Sequence, residues 1–506
     1  MRRLGLSGAA AALALSACTV GPDYHAPEPV VPPAYVGASA AGEAVDPTRW
    51  WTVFGDAELT SLVERALAGN PDIAIAASRV RQARLAEITA RARGLPTVSA
   101  DANVSRVNFS KNGGFASLAR SFGTGGNGTP GSGDTDAPVR PTRGIAAPGS
   151  GITTFALGFD AAWELDLFGG VRRGREAASA RADAAVWSAR DAAVMLAAEV
   201  AQAYFAYRLD GQQIAVITDE IGVRERTVAI VSHRADVGLV PRIDAVAATD
   251  AVTTARARLQ PVVADRALRR HALALLLGEP PAVLDAELSA PLPGLQPVPA
   301  IPAGLPSDLL RRRPDVRSAE RSLAASTADI GVAVADLYPK FSLTGALQLL
   351  SSSLGTLFSS DSLQSTGTSA ISYPLLDFGR RRSTIEARRE DREQDYLRYQ
   401  ATVLGAFRDV EDALSRIEAE RARNAALTDA MTSEARQVSA LNARFRTGFV
   451  AEDVVLAQRA QLLAAQEQLA ASTAQLRQVT VALFKAVGGG WDEASPNLTT
   501  PRPERQ

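Results

Sequence analysis

Residues 396–417 read YLRYQATVLGAFRDVEDALSRI, and residues 455–483 read VLAQRAQLLAAQEQLAASTAQLRQVTVAL. In the first stretch Tyr396, Val403, Val410 and Ile417 recur at sevens; in the second, Val455, Leu462, Leu469, Leu476 and Leu483 do the same. A seven-residue apolar period held this long specifies long helices wound against other helices in a left-handed supercoil. Both stretches lie within Leu375 to Ser495, a strongly helix-forming region without a proline. At about 1.5 Å per residue, a helix from Gly379 to Arg446 would be roughly 100 Å long, deeper than any ordinary globular core. Between the two runs, RFRTGFVAED carries Gly448, the residue type that supplies a helix-ending conformation. The region is a long helical hairpin over about 379–487.

Working outward, the same object occurs earlier. Val186, Ala193, Val200, Tyr207, Ile214, Ile221 and Val228 form a second series of sevens, followed by HRADVGLVPRIDAV, in which Gly238 ends one helix and Pro241 opens the next. A shift of 210 carries Arg234, Gly238, Val240 and Ala247 onto Arg444, Gly448, Val450 and Ala457, and a shift of 243 carries Pro71, Asp72 and Pro96 onto Pro314, Asp315 and Pro339. The chain is an internal duplication. Residues 56–278 form the first repeat, with its hairpin over about 172–277, and 307–487 the second. A proline-rich connector (279–306) joins them, an extended segment (18–55) precedes them, and a polar tail (488–506) follows.

Between each short helix and its long hairpin the apolar period changes to two. Val98, Ala100, Ala102 and Val104 alternate with polar residues, and Phe155, Leu157, Phe159, Ala161, Trp163 and Leu165 alternate with small or acidic ones. In the second repeat Phe341, Leu343, Leu347 and Leu349 do so, followed by a weaker series at Ser369, Ile371, Tyr373 and Leu375. Four strands are expected, at about 97–109, 152–166, 340–350 and 367–376. Each has the length of a tilted membrane strand. Ordinary half-buried strands would share the alternation, whereas Trp163, Phe341 and Tyr373, at the helix-side ends, fit a membrane-interface girdle. Residues 110–151 and 351–366 have the composition of surface loops, and the drop in offset from 243 to 210 places about 33 extra residues in the first of them.

Lipid-facing backbone must be fully paired, so a membrane sheet has to close, and four strands are too few. Two copies give a plugged eight-stranded barrel and three a 12-stranded open one; three also supply twelve long helices for a coiled tube continuous with it, the natural count. The expected fold is thus mainly α with membrane β: a trimeric 12-strand β-barrel, four strands per chain, continuous with a long α-helical barrel and built from two repeats.

The N-terminus has Arg2 and Arg3, an apolar run from Leu4 to Leu15 too short to span a bilayer, and LSAC. Small residues before a cysteine resemble the lipobox of bacterial lipoproteins, which makes Cys18, the chain's only cysteine, the candidate lipidation site and residues 1–17 a signal peptide; an ordinary secretory signal is the other reading. Thr19, rather than an aspartate, follows it and favours the outer membrane. A net charge of −1 gives no reason to expect nucleic acid. His25, His233 and His271 are scattered without metal-ligand spacing, and neither a phosphate loop nor a nucleophile motif is present. No catalytic residue, metal or cofactor is expected.

Ordered along the chain, CTVGPDY (18–24), WWTVFGDAEL (50–59), NPDI (70–73), RRPDV (312–316), YPKFSLTG (338–345) and the Phe-Gly pairs at 168–169 and 378–379 resemble the TolC-like outer-membrane factors, in their NodT-like lipoprotein branch. The resemblance covers nearly the whole chain after Cys18. It implies a homotrimeric exit duct of a tripartite efflux pump: a barrel in outer-membrane lipid, a long periplasmic tube, and a tip that stays closed until a periplasmic adaptor docks, driven by an inner-membrane pump of the resistance-nodulation-division type. The turns containing Gly238, Leu239 and Val240 and Gly448, Phe449 and Val450 would then meet the adaptor. Glu452, Asp453, Asp244 and Leu456 are the candidate gate, although Asp453 would equally suit a helix's first turn. The family often has an aspartate slightly further on, where this chain has Ala457, Gln458 and Arg459. Trp50 and Trp51 are expected to pack rather than bind. The cargo class stays open among drugs, dyes, detergents, solvents and metal ions. A type I secretion duct and a structural envelope lipoprotein are the alternatives.

Overall fold

The computed structural model describes residues 19–29, 31–33, 35, 46–108, 151–289, 294, 297–298 and 311–491; Cys18 lies outside them. A 3-10 turn at Trp50–Phe54 is followed by α1 (Ala57–Gly69), α2 (Pro71–Ala92), β1 (Thr97–Asn108), β2 (Gly151–Leu165), α3 (Gly170–Asp236), α4 (Arg242–Leu277) and α5 (Pro281–Leu288). Then come α6 (Pro314–Ala335), β3 (Lys340–Ser351), β4 (Leu363–Ser372), α7 (Arg380–Arg446) and α8 (Glu452–Ala486). The long helices α3 and α7 have 67 residues each. Two compact units result: Met1–Pro22, Ile88–Arg175 and Asp329–Glu386 in one, and Asp23–Glu87, Glu176–Ala328 and Ala387–Gln506 in the other.

The first unit holds a single antiparallel sheet in the order β1-β2-β3-β4. Its register places Val98 opposite Ala161, Phe159 opposite Leu347 and Phe341 opposite Ile371, so the apolar series share one face. Ser99, Asp160, Ser342 and Thr368 share the other. The apolar face is bare among the described residues: Val98 is 70%, Phe159 60% and Ile371 67% exposed. The fourth strand ends at Ser372 rather than near 376. Its neighbour β3 begins at Lys340, opposite Ser372, and Pro374 has no N–H to donate.

The second unit is helical. Every member of the series from Val186 to Val228 is buried or half-buried, as are Val403, Val410, Ile417, Val455, Leu476 and Leu483. Trp50 is fully buried, its ring stacked 5.1 Å from Phe484, and Trp51 is buried beside it, so both are packing residues. The Asp56 carboxylate caps α1 by accepting from the Glu58 and Leu59 N–H groups, and its other oxygen accepts from the Tyr204 hydroxyl at 2.8 Å. One side chain thereby starts a helix and ties it to α3.

Two expected boundaries move. The connector opens with a helix, α5, whose Leu284 and Leu288 are fully buried. Gly488 to Trp491, read as the start of a polar tail, are packed against other parts of the chain, and the residues after Trp491 lie outside the described ones. Gly488, Gly489 and Gly490 are buried, and the Gly490 N–H donates to the Pro47 carbonyl at 2.8 Å. The Trp491 indole donates to the Arg312 carbonyl, and Arg190 lies 4.4 Å and 4.6 Å from the Trp187 and Trp491 rings. Glycine composition read as a tail; close approach is its use here.

Candidate functional site

In the sheet unit, Trp163, opposite Leu343, and Phe341, opposite Leu165 and Ile371, share the apolar face at the helix-side end; Tyr373 follows β4 at that same end. The Trp163 indole donates to the Gly94 carbonyl at 3.0 Å. The two Phe-Gly junctions turn strand into helix through Gly169 (φ 80°) and Gly379 (φ 87°), where a β-carbon would strain the backbone. At the first junction Phe168 stacks on Tyr338, centroids 4.6 Å apart; at the second, Phe378 is 92% exposed.

The residues after Cys18 are seated against the first junction. The Val20 N–H donates to the Phe168 carbonyl at 3.2 Å, Arg173 donates to the Val20 carbonyl at 3.3 Å, and Arg172 donates to the Thr19 hydroxyl at 2.8 Å. Gly21 lies so near Gly331 that a β-carbon on Gly21 would fall 2.5 Å from the Gly331 Cα.

In the helical unit the two hairpin turns are built alike. Gly238 (φ 78°) and Gly448 (φ 77°) end α3 and α7; the next N–H groups, of Leu239 and Phe449, return to Arg234 and Arg444 at 2.8 and 2.9 Å. Leu239 is 73% and Phe449 83% exposed, whereas Val240 and Val450 are half-buried.

Glu452 and Asp453 sit in the first turn of α8, and neither is a bare acid. Glu452 takes two hydrogen bonds from Arg226, at 2.7 and 2.9 Å, and Asp453 one from Arg234 at 2.7 Å. The arginine hydrogen bonds hold both carboxyls below their usual range. Asp453 also accepts from the Val454 N–H, while the N-cap position of α8 is Ala451, which makes no side-chain cap. Leu456 is buried with Val223 and Leu463, so it packs α8 on α3. Asp244 lies exposed in the first turn of α4. The structure thus brings Glu452, Asp453 and Leu456 together along one α3–α8 seam, and Asp244 is outside it. Sequence reasoning missed Arg226, whose partner is 226 positions away. Arg234 was visible only as the repeat equivalent of Arg444.

The family model described as outer membrane efflux protein matches residues 62–279 and 305–489. The chain belongs to this family. It is 31% identical to outer membrane protein OprJ of Pseudomonas aeruginosa, over 97% of this chain and 96% of that protein, and 29% identical to nodulation protein T of Rhizobium leguminosarum bv. viciae, over 99% and 96%. The solved structure of the outer-membrane channel OprN superposes with a TM-score of 0.80 at 29% identity, covering 94% of this chain and all of that one. The family is one of channel proteins; the chain is an outer-membrane efflux channel subunit with a TolC-like fold. No helix among the described residues is long and apolar enough to cross a membrane.

Proposed function

We propose that three copies of the chain form the exit duct of a tripartite pump that passes small molecules from periplasm to exterior. The observation that carries this is the bare four-stranded sheet, apolar on one face and polar on the other, in a chain whose remaining bulk is two 67-residue helices with return helices. The apolar face suits lipid and the polar face water, provided that other copies close the sheet. A periplasmic adaptor is the partner for the exposed turn residues Leu239 and Phe449, and an inner-membrane pump of the resistance-nodulation-division type supplies the energy. The duct does no chemistry of its own; adaptor contact shifts it between closed and open packings of the hairpins. The α3–α8 seam of Arg226, Arg234, Glu452 and Asp453 is the catch that holds the tip closed. Lipidation at Cys18 fits the clasped Thr19–Gly21 segment, which holds the following residues beside the strand-to-helix junction.

The test is accumulation of dyes and drugs in a deletion strain, with and without an inhibitor of the proton gradient. Accumulation rising to that of the de-energised parent, and restored by the intact gene, is the expected result. Unchanged accumulation together with loss of a secreted protein would replace the efflux reading with a secretion duct.

A further inference from the structure

At the helix-side end of the sheet, within the sheet unit, lies a cavity of about 430 Å³, a volume in the range of small-molecule sites. The ends of α2 and α6, the start of α3 and the adjoining residues of β2 and β3 enclose it. Its walls are apolar at Ala90, Leu165, Val171 and Val332, and charged at Arg93, Glu164, Asp166, Asp336 and Lys340. Glu164 lies opposite Ser342, and Lys340 precedes Ser342 by two residues on β3, so both stand on the polar face of the sheet.

The five charges are not matched in place. Lys340 lies 3.1 Å from Asp336 and 3.8 Å from Glu164, and one Asp166 oxygen accepts the Arg172 N–H at 2.8 Å. Among the described residues Arg93 makes no ion pair, so its guanidinium and the Asp166 carboxylate line one cavity without meeting. The space between them is left by two glycines. A β-carbon on Gly170 would fall 3.1 Å from the Ala335 Cβ and 3.8 Å from the Asp166 Oδ1, and one on Gly174 would meet only Val332, at 3.9 Å. Glycine disfavours a helix, and the second repeat shows that the junction does not need it: a shift of 210 carries Gly170 and Gly174 onto Arg380 and Thr384, and Glu164 and Asp166 onto Pro374 and Leu376. The scaffold is repeated; the charged cavity is not.

We propose that this cavity holds cargo in passage, and that it takes a zwitterionic amphiphile, with the anionic group on Arg93, the cationic group on Asp166 and the apolar body against Val171 and Val332. The proposal rests on the duct reading, in which the polar face meets water, and deepens it by naming a class of cargo. Opposite charges held apart over apolar walls are poorly compensated, and a molecule bearing both signs compensates each where it stands. A plain anion would meet three carboxylates against two cations, and a plain cation would leave Arg93 unanswered.

The test titrates the purified full-length protein, held in amphipol, with three probes of one tail length: hexylphosphocholine, hexyltrimethylammonium and hexyl sulfate. Hexylphosphocholine should bind about tenfold more tightly than either of the others. Arg93→Gln should remove that preference, and Arg93→Glu should reverse it in favour of hexyltrimethylammonium. Gly174→Leu, which fills space without touching a charge, should abolish binding of all three while the assembly keeps its size. Equal binding of the three probes, or a preference that both Arg93 substitutions leave unchanged, would overturn the site. So would absence of binding by a protein whose gene restores dye export to the deletion strain, and the duct reading would then stand. Binding without any export would overturn the role in cargo passage together with the duct reading. A phospholipid that copurifies with the wild type and is lost from Gly174→Leu would make the occupant a membrane lipid and overturn the cargo assignment.

Discussion

The two hairpins are copies in length and turn geometry, but their return helices differ. Along α8, thirteen of 35 residues are buried; along α4, five of 36 are. Ile243, Val246, Leu268 and Leu275 of α4 are 52% to 75% exposed. Leu275 stands where the second repeat has Lys485, and Pro261, inside α4, stands where α8 has Ala471. The duplication kept the scaffold and divided the packing: α8 is a packing spine of its own chain, and α4 leaves much of its apolar surface uncovered by it.

The largest expected effect comes from attacking the spine. Leu483 is buried at 1% exposure, so Leu483→Ala should cost about 2–5 kcal/mol of folding stability, while Leu275→Ala, at a 75% exposed site, should change the unfolding of the isolated chain by less than about 0.5 kcal/mol. Equal losses in denaturant melts would dissolve the contrast between α8 and α4. Exchanging the proline sharpens it. Ala471→Pro removes an internal helix hydrogen bond and should cost about 3 kcal/mol or more, whereas Pro261→Ala should leave stability unchanged or raise it. A destabilising Pro261→Ala would show that a bend at Pro261 is needed by the fold.

A smaller effect separates the two strand-to-helix junctions. The first is clasped by Thr19 to Gly21, while around Gly379 no described atom lies within 4 Å of a placed β-carbon. In the clasp, a β-carbon on Gly331 would fall 2.7 Å from Arg173 Cγ. Gly331→Ala should therefore cost about 1–3 kcal/mol and open the N-terminal segment to protease. A segment that stays protected would mean that the clasp holds without this close approach.

Most of this architecture was legible because it is periodic. Sevens gave the hairpins, twos gave the strands, and the repeat offsets fixed the turns at Gly238 and Gly448. What was not legible depends on distance in sequence or on absent neighbours. The α3–α8 ion pairs join residues more than 200 positions apart, and arginines are too common here for Arg226 to stand out. The end of β4 depends on where β3 starts, a property of pairing rather than of the Ser369 to Leu375 alternation. Gly488 to Trp491 read as a tail since glycine signals both freedom and close approach, and only the Pro47 and Arg312 carbonyls distinguish the two.

The smallest effect lies at the tip, where the seam that distinguishes α8 from α4 is held by ion pairs whose members are half-buried, apart from the exposed Arg226. Such pairs are individually weak, so the proposed catch would hold the tip closed only through their sum. Arginine contacts depress both the Glu452 and the Asp453 carboxyl, so the closed pairing favours the ionised forms. The stabilisation is then complete above the ordinary carboxylate range, near pH 4, and is lost as pH falls through the depressed values. Leak conductance of the purified trimer in bilayers should be flat from about pH 8 to 5 and rise below about 4. Combined Glu452→Gln and Asp453→Asn should raise the leak at pH 7 and abolish the acid step, and raising salt should mimic it in the wild type, since screening shortens the reach of exposed charges. A wild-type leak indifferent to acid, salt and both substitutions would leave the Val223, Leu456 and Leu463 packing as what holds α8 to α3 at the tip, and the four charges would then have no part in closing the duct.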